Sequence, residues 1–166
     1  MDLNSTQVDL LIAILVRFPY IGTIHCEPET GTLRLVFLLN EPEQGFEGFA
    51  RSFRAHLALF QQLMGRSVQA SSLRMKETEQ LTVLEVVRDL ASITMAELRL
   101  IVQLVRDYYG ESLVQEGPDV REEDALEQEM IIEALLREHA ESGQERLTGF
   151  RENGRVLVFS TAIGGG

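Results

Sequence analysis

The stretch that most constrains the fold is Phe46–Gly65, FEGFARSFRAHLALFQQLMG. Phe46, Phe49, Phe53, Leu57, Phe60 and Met64 recur at steps of three and four, the spacing that aligns side chains on one face of an α-helix. Glu47, Arg51, Arg54 and Gln61 fall on the other face, and Gly65 supplies the residue a helix end favours. Four phenylalanines on one stripe require a large apolar partner surface. The run Leu33-Arg34-Leu35-Val36-Phe37-Leu38-Leu39 just upstream reads as a strand and is the natural candidate. With only Arg34 interrupting it, both of its faces are expected to be buried, as in a central strand.

The preceding segments follow the same logic. Thr6 and Asp9 have capping-box spacing ahead of Leu10–Val16, which predicts a helix from about Gln7 to Arg17 that ends before Pro19. That run is apolar nearly all round, so the helix must be covered deeply or shared with a second subunit. Tyr20 to Glu27 reads as a strand, Pro28–Gly31 as a turn, and Thr32 to Leu39 as the returning strand. Asn40–Gly45 is a loop that feeds the phenylalanine helix.

Downstream, Val68 to Met75 reads as a weaker strand, Lys76–Gln80 as a polar hairpin loop, and Leu81 to Val87 as a β-branched strand. Thr94 and Glu97 form a second capping box, with Ile93 and Leu98 as its hydrophobic staple. Leu98, Ile101, Val102, Val105 and Tyr109 form the core stripe of that helix, which ends at Gly110. Glu116-Gly117-Pro118 is a minor break. A further helix, roughly Glu122 to Ala140, is expected to bury Leu126, Met130, Ile131, Ala134 and Leu135. It carries most of the acid: eleven acidic residues lie between Glu116 and Glu145, against Arg121 and Arg137. Asn153-Gly154 then marks a tight turn between strands at Leu147–Arg151 and Arg155–Thr161.

The expected order is therefore α-β-β-α-β-β-α-α-β-β over a single α+β domain, residues 1–166, with an antiparallel sheet of hairpins alternating with helices. Its inner part, Leu33 to Gly110, resembles most of a split βαβ unit of the ferredoxin-like kind. The leading helix and antiparallel strands also resemble those of the small acidic dimeric chaperones of secretion systems. Both are likenesses of element order carried by no motif, and a shared fold does not bring a function with it.

Composition decides among function classes. A net charge of −11 opposes nucleic-acid binding, which needs a basic surface to displace counterions, and it disfavours anionic membranes. The longest apolar run, Leu10 to Val16, is too short for a membrane span. Asp2 and Asp9 depart from the basic start of a signal peptide, so a cytoplasmic location is expected. Cys26 is the single cysteine, which rules out an internal disulfide.

Chemistry-bearing residues are sparse. His25-Cys26 could be a ligand pair or a nucleophile and base, but on a strand the two point to opposite faces, and Cys26 among apolar neighbours reads as a small buried hydrophobe. His56 and His139 have no ligand spacing, and Glu129 and Glu133 read as part of a solvated helix face. Gly31, Gly45, Gly48 and Gly65 build no phosphate-cradling motif. No catalytic residue, metal site or cofactor is therefore assigned. The Ile163–Gly166 end resembles the glycine-ended tails of ubiquitin-like sulfur carriers, although the chain is much longer than those proteins. One ligand-binding expectation is placed at the junction of the Asn40–Gly45 loop and the phenylalanine helix, where Asn40, Arg51 and Arg54 could receive a small acidic metabolite.

The surplus of apolar surface on the first helix, the Leu33–Leu39 strand and the phenylalanine stripe leads to the expectation of a non-enzymatic binding protein that acts as a homo-oligomer, with a possible protein partner. The alternatives are a regulatory domain that senses a small metabolite, or an enzyme whose site assembles only in space.

Overall fold

The computed structural model describes residues 5–40, 45–139 and 145–161. Its elements are α1 (Ser5–Arg17), β1 (Thr23–Glu27), β2 (Thr32–Leu39), α2 (Phe46–Met64), β3 (Ser71–Glu77), β4 (Thr82–Asp89), α3 (Met95–Tyr109), α4 (Glu122–His139), β5 (Arg146–Glu152) and β6 (Arg155–Thr161), with one 3-10 turn at Gly110–Ser112. This is the α+β order the sequence predicts. The Ile163–Gly166 tail and most of the loop before α2 lie outside the described residues.

The six strands form one sheet in the order β3-β4-β2-β1-β5-β6, with every neighbouring pair antiparallel. Within it, β2-α2-β3-β4 is a split βαβ unit, because β4 inserts between the two strands that α2 connects. The place beside β2 is taken by β1, which arrives through a hairpin from the N-terminal side. The β5–β6 hairpin then extends the sheet beyond β1. Its turn is of the kind that matches strand twist, with positive φ at both Asn153 (52°) and Gly154 (77°).

Helices cover only one face of this sheet. The registers place Ile24, Cys26, Leu33, Leu35, Phe37, Leu84, Val86 and Leu147 on a common side, and all of them join the buried cluster that takes residues from α1, α2, α3 and α4. The two-sided burial expected of β2 is therefore met unevenly. Its helix-facing residues are fully covered, whereas Arg34 and Leu38 on the other side are only half-buried. That second face carries a charge cluster instead. Glu85 accepts from Arg34 Nη1 at 2.8 Å and Arg74 Nη2 at 2.9 Å, and these cations shield it from water. At the β5–β6 end, Phe150 and Phe159 meet edge to face at 5.6 Å.

The phenylalanine stripe behaves as its spacing dictates over its first three turns. Phe49, Phe53 and Leu57 are buried, and Phe49 packs on Phe53, Tyr108 and Tyr109. Past Leu57 the helix outruns its cover, so Phe60 is half-buried and Met64 exposed. The amide of Gly65, at φ 67°, closes the helix on the Gln62 carbonyl.

The apolar helix α1 is enclosed between the sheet and α4, which buries Leu10, Leu11, Ile14 and Leu15. Its approach to β5 is close: a Cβ on Gly149 would lie 3.0 Å from both Leu15 Cδ1 and Ile24 Cγ2. Thr6 lies inside the helix rather than at its cap, since the helical turn begins at Ser5. The other end of α1 is closed from far away. The Arg151 guanidinium, on β5, donates to the carbonyls of Leu15, Phe18 (2.8 Å) and Ile21. A helix leaves its last carbonyls without intrahelical donors; here one planar cation satisfies that of Leu15 and ties it to the Phe18 and Ile21 carbonyls of the turn that follows.

α4 corrects an expectation. Its buried stripe is Ala125, Glu129, Ile132 and Leu136, while Leu126, Met130 and Ile131 are exposed. The reason is electrostatic. Glu129 accepts from Arg17 Nε at 2.7 Å and from Arg99 Nε at 3.1 Å, so two cations on α1 and α3 hold this carboxylate inward and set the rotation of the helix. Among the described residues, no helix is long and apolar enough to cross a membrane.

Replacing Arg151 with alanine should cost about 2 kcal/mol of stability, the scale of leaving buried carbonyls without donors. Urea unfolding would measure it, and a loss within experimental error would refute this role for the long-range cap.

Candidate functional site

The most site-like relief is a pair of clefts on two sides of Arg99. On one side, a cleft of about 500 Å³ is enclosed by the end of α2 and the segment just after it (Met64, Arg66), the β4–α3 connection (Leu90, Ala91, Ile93, Thr94), the start of α3 (Met95, Ala96, Arg99) and the second half of α4 (Glu133, Leu136, Arg137). On the other side, between the end of α1 and α3, a cleft of about 270 Å³ is lined by Arg17, Tyr20, Arg99, Gln103, Arg106 and Asp119, among others. Arg99 borders both. A third hollow of about 160 Å³ lies between α2 and α3 at Phe49, Ser52 and Tyr108.

The larger cleft owes its shape to a buried ionic base. Arg88, at the end of β4, points into the core and pairs through Nε and Nη2 with both oxygens of Glu97, the second at 2.9 Å. It also donates to Asp89, to Ser92 Oγ at 3.0 Å and to the Ala70 carbonyl at 2.8 Å. This cluster ties β4 to the start of α3 and fixes the floor formed by Leu90, Ile93 and Met95. The capping box at this helix is therefore only half made. Thr94 Oγ1 accepts from the Glu97 amide at 3.2 Å, but the Glu97 carboxylate serves Arg88 and Gln61 instead of the Thr94 backbone. Both staple residues, Ile93 and Leu98, are buried as predicted.

Three guanidiniums border the cleft. Arg66 donates Nε to the Ser92 carbonyl at 3.2 Å. Arg137 donates Nη2 to Glu133 at 3.1 Å. Arg99 is engaged through Nε and Nη2 by Glu129. A guanidinium has five N–H donors, so each keeps some for a further partner.

The smaller cleft is more polar. The Tyr20 hydroxyl donates to Asp119 Oδ1 at 2.7 Å, and the Arg106 guanidinium stacks 4.3 Å from the Tyr20 ring centroid. Burial, and then the Asp119 carboxylate, push the Tyr20 phenol above its ordinary value, so it stays protonated.

The expected ligand residues Asn40, Arg51 and Arg54 are not among the linings of these three clefts. Asn40 is exposed and its amide donates to the Ser112 carbonyl at 2.8 Å. Arg51 is exposed, and Arg54 Nη2 reaches the Leu73 carbonyl at 3.3 Å. At the α2 start, the Tyr108 hydroxyl donates to the Gly45 carbonyl at 2.8 Å.

His25 and Cys26 occupy opposite faces of β1. His25 Nδ1 is 3.0 Å from Thr148 Oγ1 on the open face, whereas Cys26 is buried in the core. Burial, reinforced by the Glu27 charge, pushes the Cys26 thiol up to about 12, far from the thiolate that nucleophilic or metal chemistry needs. Among the described residues, no group of three His, Cys, Asp or Glu side chains could hold a metal ion.

Sequence reasoning had no signal for the larger cleft. Its arginines come from the segment just after α2, the first turns of α3 and the last turns of α4, and no local spacing links them. No family model matches the chain, and no curated protein or solved structure was found to match it.

Two outcomes test this geometry. Maleimide should label native Cys26 only as fast as the core opens, and rapid labelling without denaturant would contradict its burial. For Glu129, burial works against ionisation, but the hydrogen bonds from Arg99 and Arg17 outweigh it and lower the pKa. A lowered folded-state pKa means that the unfolded chain takes up a proton first as pH falls. Its contribution is thus complete above the ordinary value of 4.5 and disappears below it. Glu129→Gln should cost about 2 kcal/mol near neutral pH, with the gap to the parent protein closing between about pH 5 and pH 3 in thermal melts.

Proposed function

We propose that this is a non-enzymatic binding protein that works as a homo-oligomer, with the outer face of α4 as the contact between copies. The observation that carries the reading is the exposure of Leu126 (63%), Met130 (70%) and Ile131 (48%) on one helix. Apolar side chains grouped on one face at this exposure are the usual mark of an interaction surface. The apolar surfaces from which self-association is expected, α1, the Leu33–Leu39 strand and the phenylalanine stripe, are largely covered within one copy, so α4 takes over that role.

The helix suits a two-fold contact. An antiparallel pair centred on Met130 would set Leu126 opposite Ala134 and Glu123 opposite Arg137, bringing apolar groups together at the middle and unlike charges together at the ends. All four are exposed in the single chain. Supporting the binding reading, the charged groups around the large cleft are mainly guanidiniums, which attract anions but do not exchange protons near neutral pH. The cytoplasm is the setting we propose, since a lone thiol stays reduced there.

Light scattering on the full chain at micromolar concentration should report a dimer. Met130→Glu should convert it to a monomer that keeps its helix and strand content by circular dichroism, because Met130 is exposed in the single chain. A monomeric parent protein, or a variant that stays dimeric, would refute the α4 contact.

A further inference from the structure

We infer that the larger cleft beside α4 is a binding site for an amphipathic anion: a small carboxylate carrying an apolar body, of the acyl type. The inference goes beyond self-association and does not depend on it.

Volume comes first. At about 500 Å³ the cleft is within the range of small-molecule sites. Its chemistry is divided. Leu90, Ile93, Met95 and Leu136 are each at least nine-tenths buried and provide an apolar floor held rigid by the Arg88–Glu97 pair beneath it. Arg66, Arg99 and Arg137 stand around that floor; Glu133 in the lining pairs with Arg137, and Glu129 outside it pairs with Arg99.

The charge of the whole chain sharpens this choice. A protein with 26 acidic and 15 basic residues repels anions over most of its surface, so three arginines around one floor, Arg99 and Arg137 paired with carboxylates and Arg66 with a neutral carbonyl, form a local exception that draws an anion to the cleft. Their remaining donors suit the forked geometry of a carboxylate. The first turn of α3 opens onto the same space, adding the positive end of a helix to a site already defined by side chains.

The apolar floor decides the ligand class. A bare phosphate would leave the exposed Met64 and Ala91 at the cleft uncovered, whereas a neutral apolar molecule would leave Arg66, whose hydrogen bond is to the neutral Ser92 carbonyl, without a counter-charge. A carboxylate joined to a short aliphatic chain satisfies both halves.

The test uses octanoate as the probe, with octanamide and inorganic phosphate as its uncharged and non-apolar counterparts, on the full chain and on the Met130→Glu variant. Octanoate should raise the melting temperature of both proteins and shift backbone amide resonances at 90–96 and 133–137, while the other two compounds do neither. Arg137→Gln, made in the Met130→Glu background because Arg137 also lies in the α4 contact, should weaken octanoate binding about tenfold by calorimetry, and Ala91→Trp should block the cleft and abolish it. Several outcomes would overturn the inference: no stabilisation by octanoate, resonance shifts centred elsewhere, equal effects of octanamide or phosphate, or unchanged binding in both cleft variants. Because octanoate is also tested on Met130→Glu, failure of the cleft and failure of the α4 contact are read out separately.

Discussion

The carboxylate of Glu129 is the junction on which the helical layer depends. It lies on the inward stripe of α4, between Arg17 of α1 and Arg99 of α3. A buried carboxylate without partners would be strongly disfavoured, so these two cations dictate which side of α4 faces inward. The rotation has two consequences. Leu126, Met130 and Ile131 are left on the outside, and Glu133, Leu136 and Arg137 are swung over the start of α3 to wall the larger cleft. Both the proposed contact surface and the proposed ligand site therefore descend from one ion-pair junction.

Arginine performs a similar task elsewhere in the molecule. Arg88 is buried at the sheet–helix boundary and binds Glu97, Asp89, Ser92 and Ala70, while Arg151 closes the end of α1. Arg34 and Arg74 cover Glu85 on the open face of the sheet. In each case a planar group with several donors satisfies acceptors from different parts of the chain. Partners so placed have a definite geometry, and they fix how the helices are set on the sheet more specifically than apolar packing does. The open sheet face can remain half in water because its charges are paired and its aromatic pair is confined to the β5–β6 end.

The readable parts of the sequence were those governed by neighbours along the chain. The bounds of β2 and β6, the phenylalanine helix with its glycine end, the Thr94 cap and the Asn153-Gly154 turn all follow from spacing and turn chemistry within a few residues. α4 was misread for a physical reason: Leu126, Met130 and Ile131 look like a core stripe, and only the two distant arginines make Glu129 the better inward residue. The Thr94–Glu97 box misled similarly, because Glu97 has a stronger partner in Arg88 than in its own helix start. The expected ligand residues Asn40, Arg51 and Arg54 lie near one another in sequence, whereas the cleft arginines share no segment.

By itself, the sequence determined the kind of elements, their order and most of their limits, since periodicity, caps and turns act through short-range sterics and hydrogen bonds. It also determined the acidic character of the whole and the inward, unreactive placement of Cys26, which follows from strand alternation. Only the tertiary structure decided the strand order, the rotation of α4 and the gathering of Arg66, Arg99 and Arg137 around one floor. The last two depend on charges thirty or more residues apart finding one another, and no local pattern encodes such meetings.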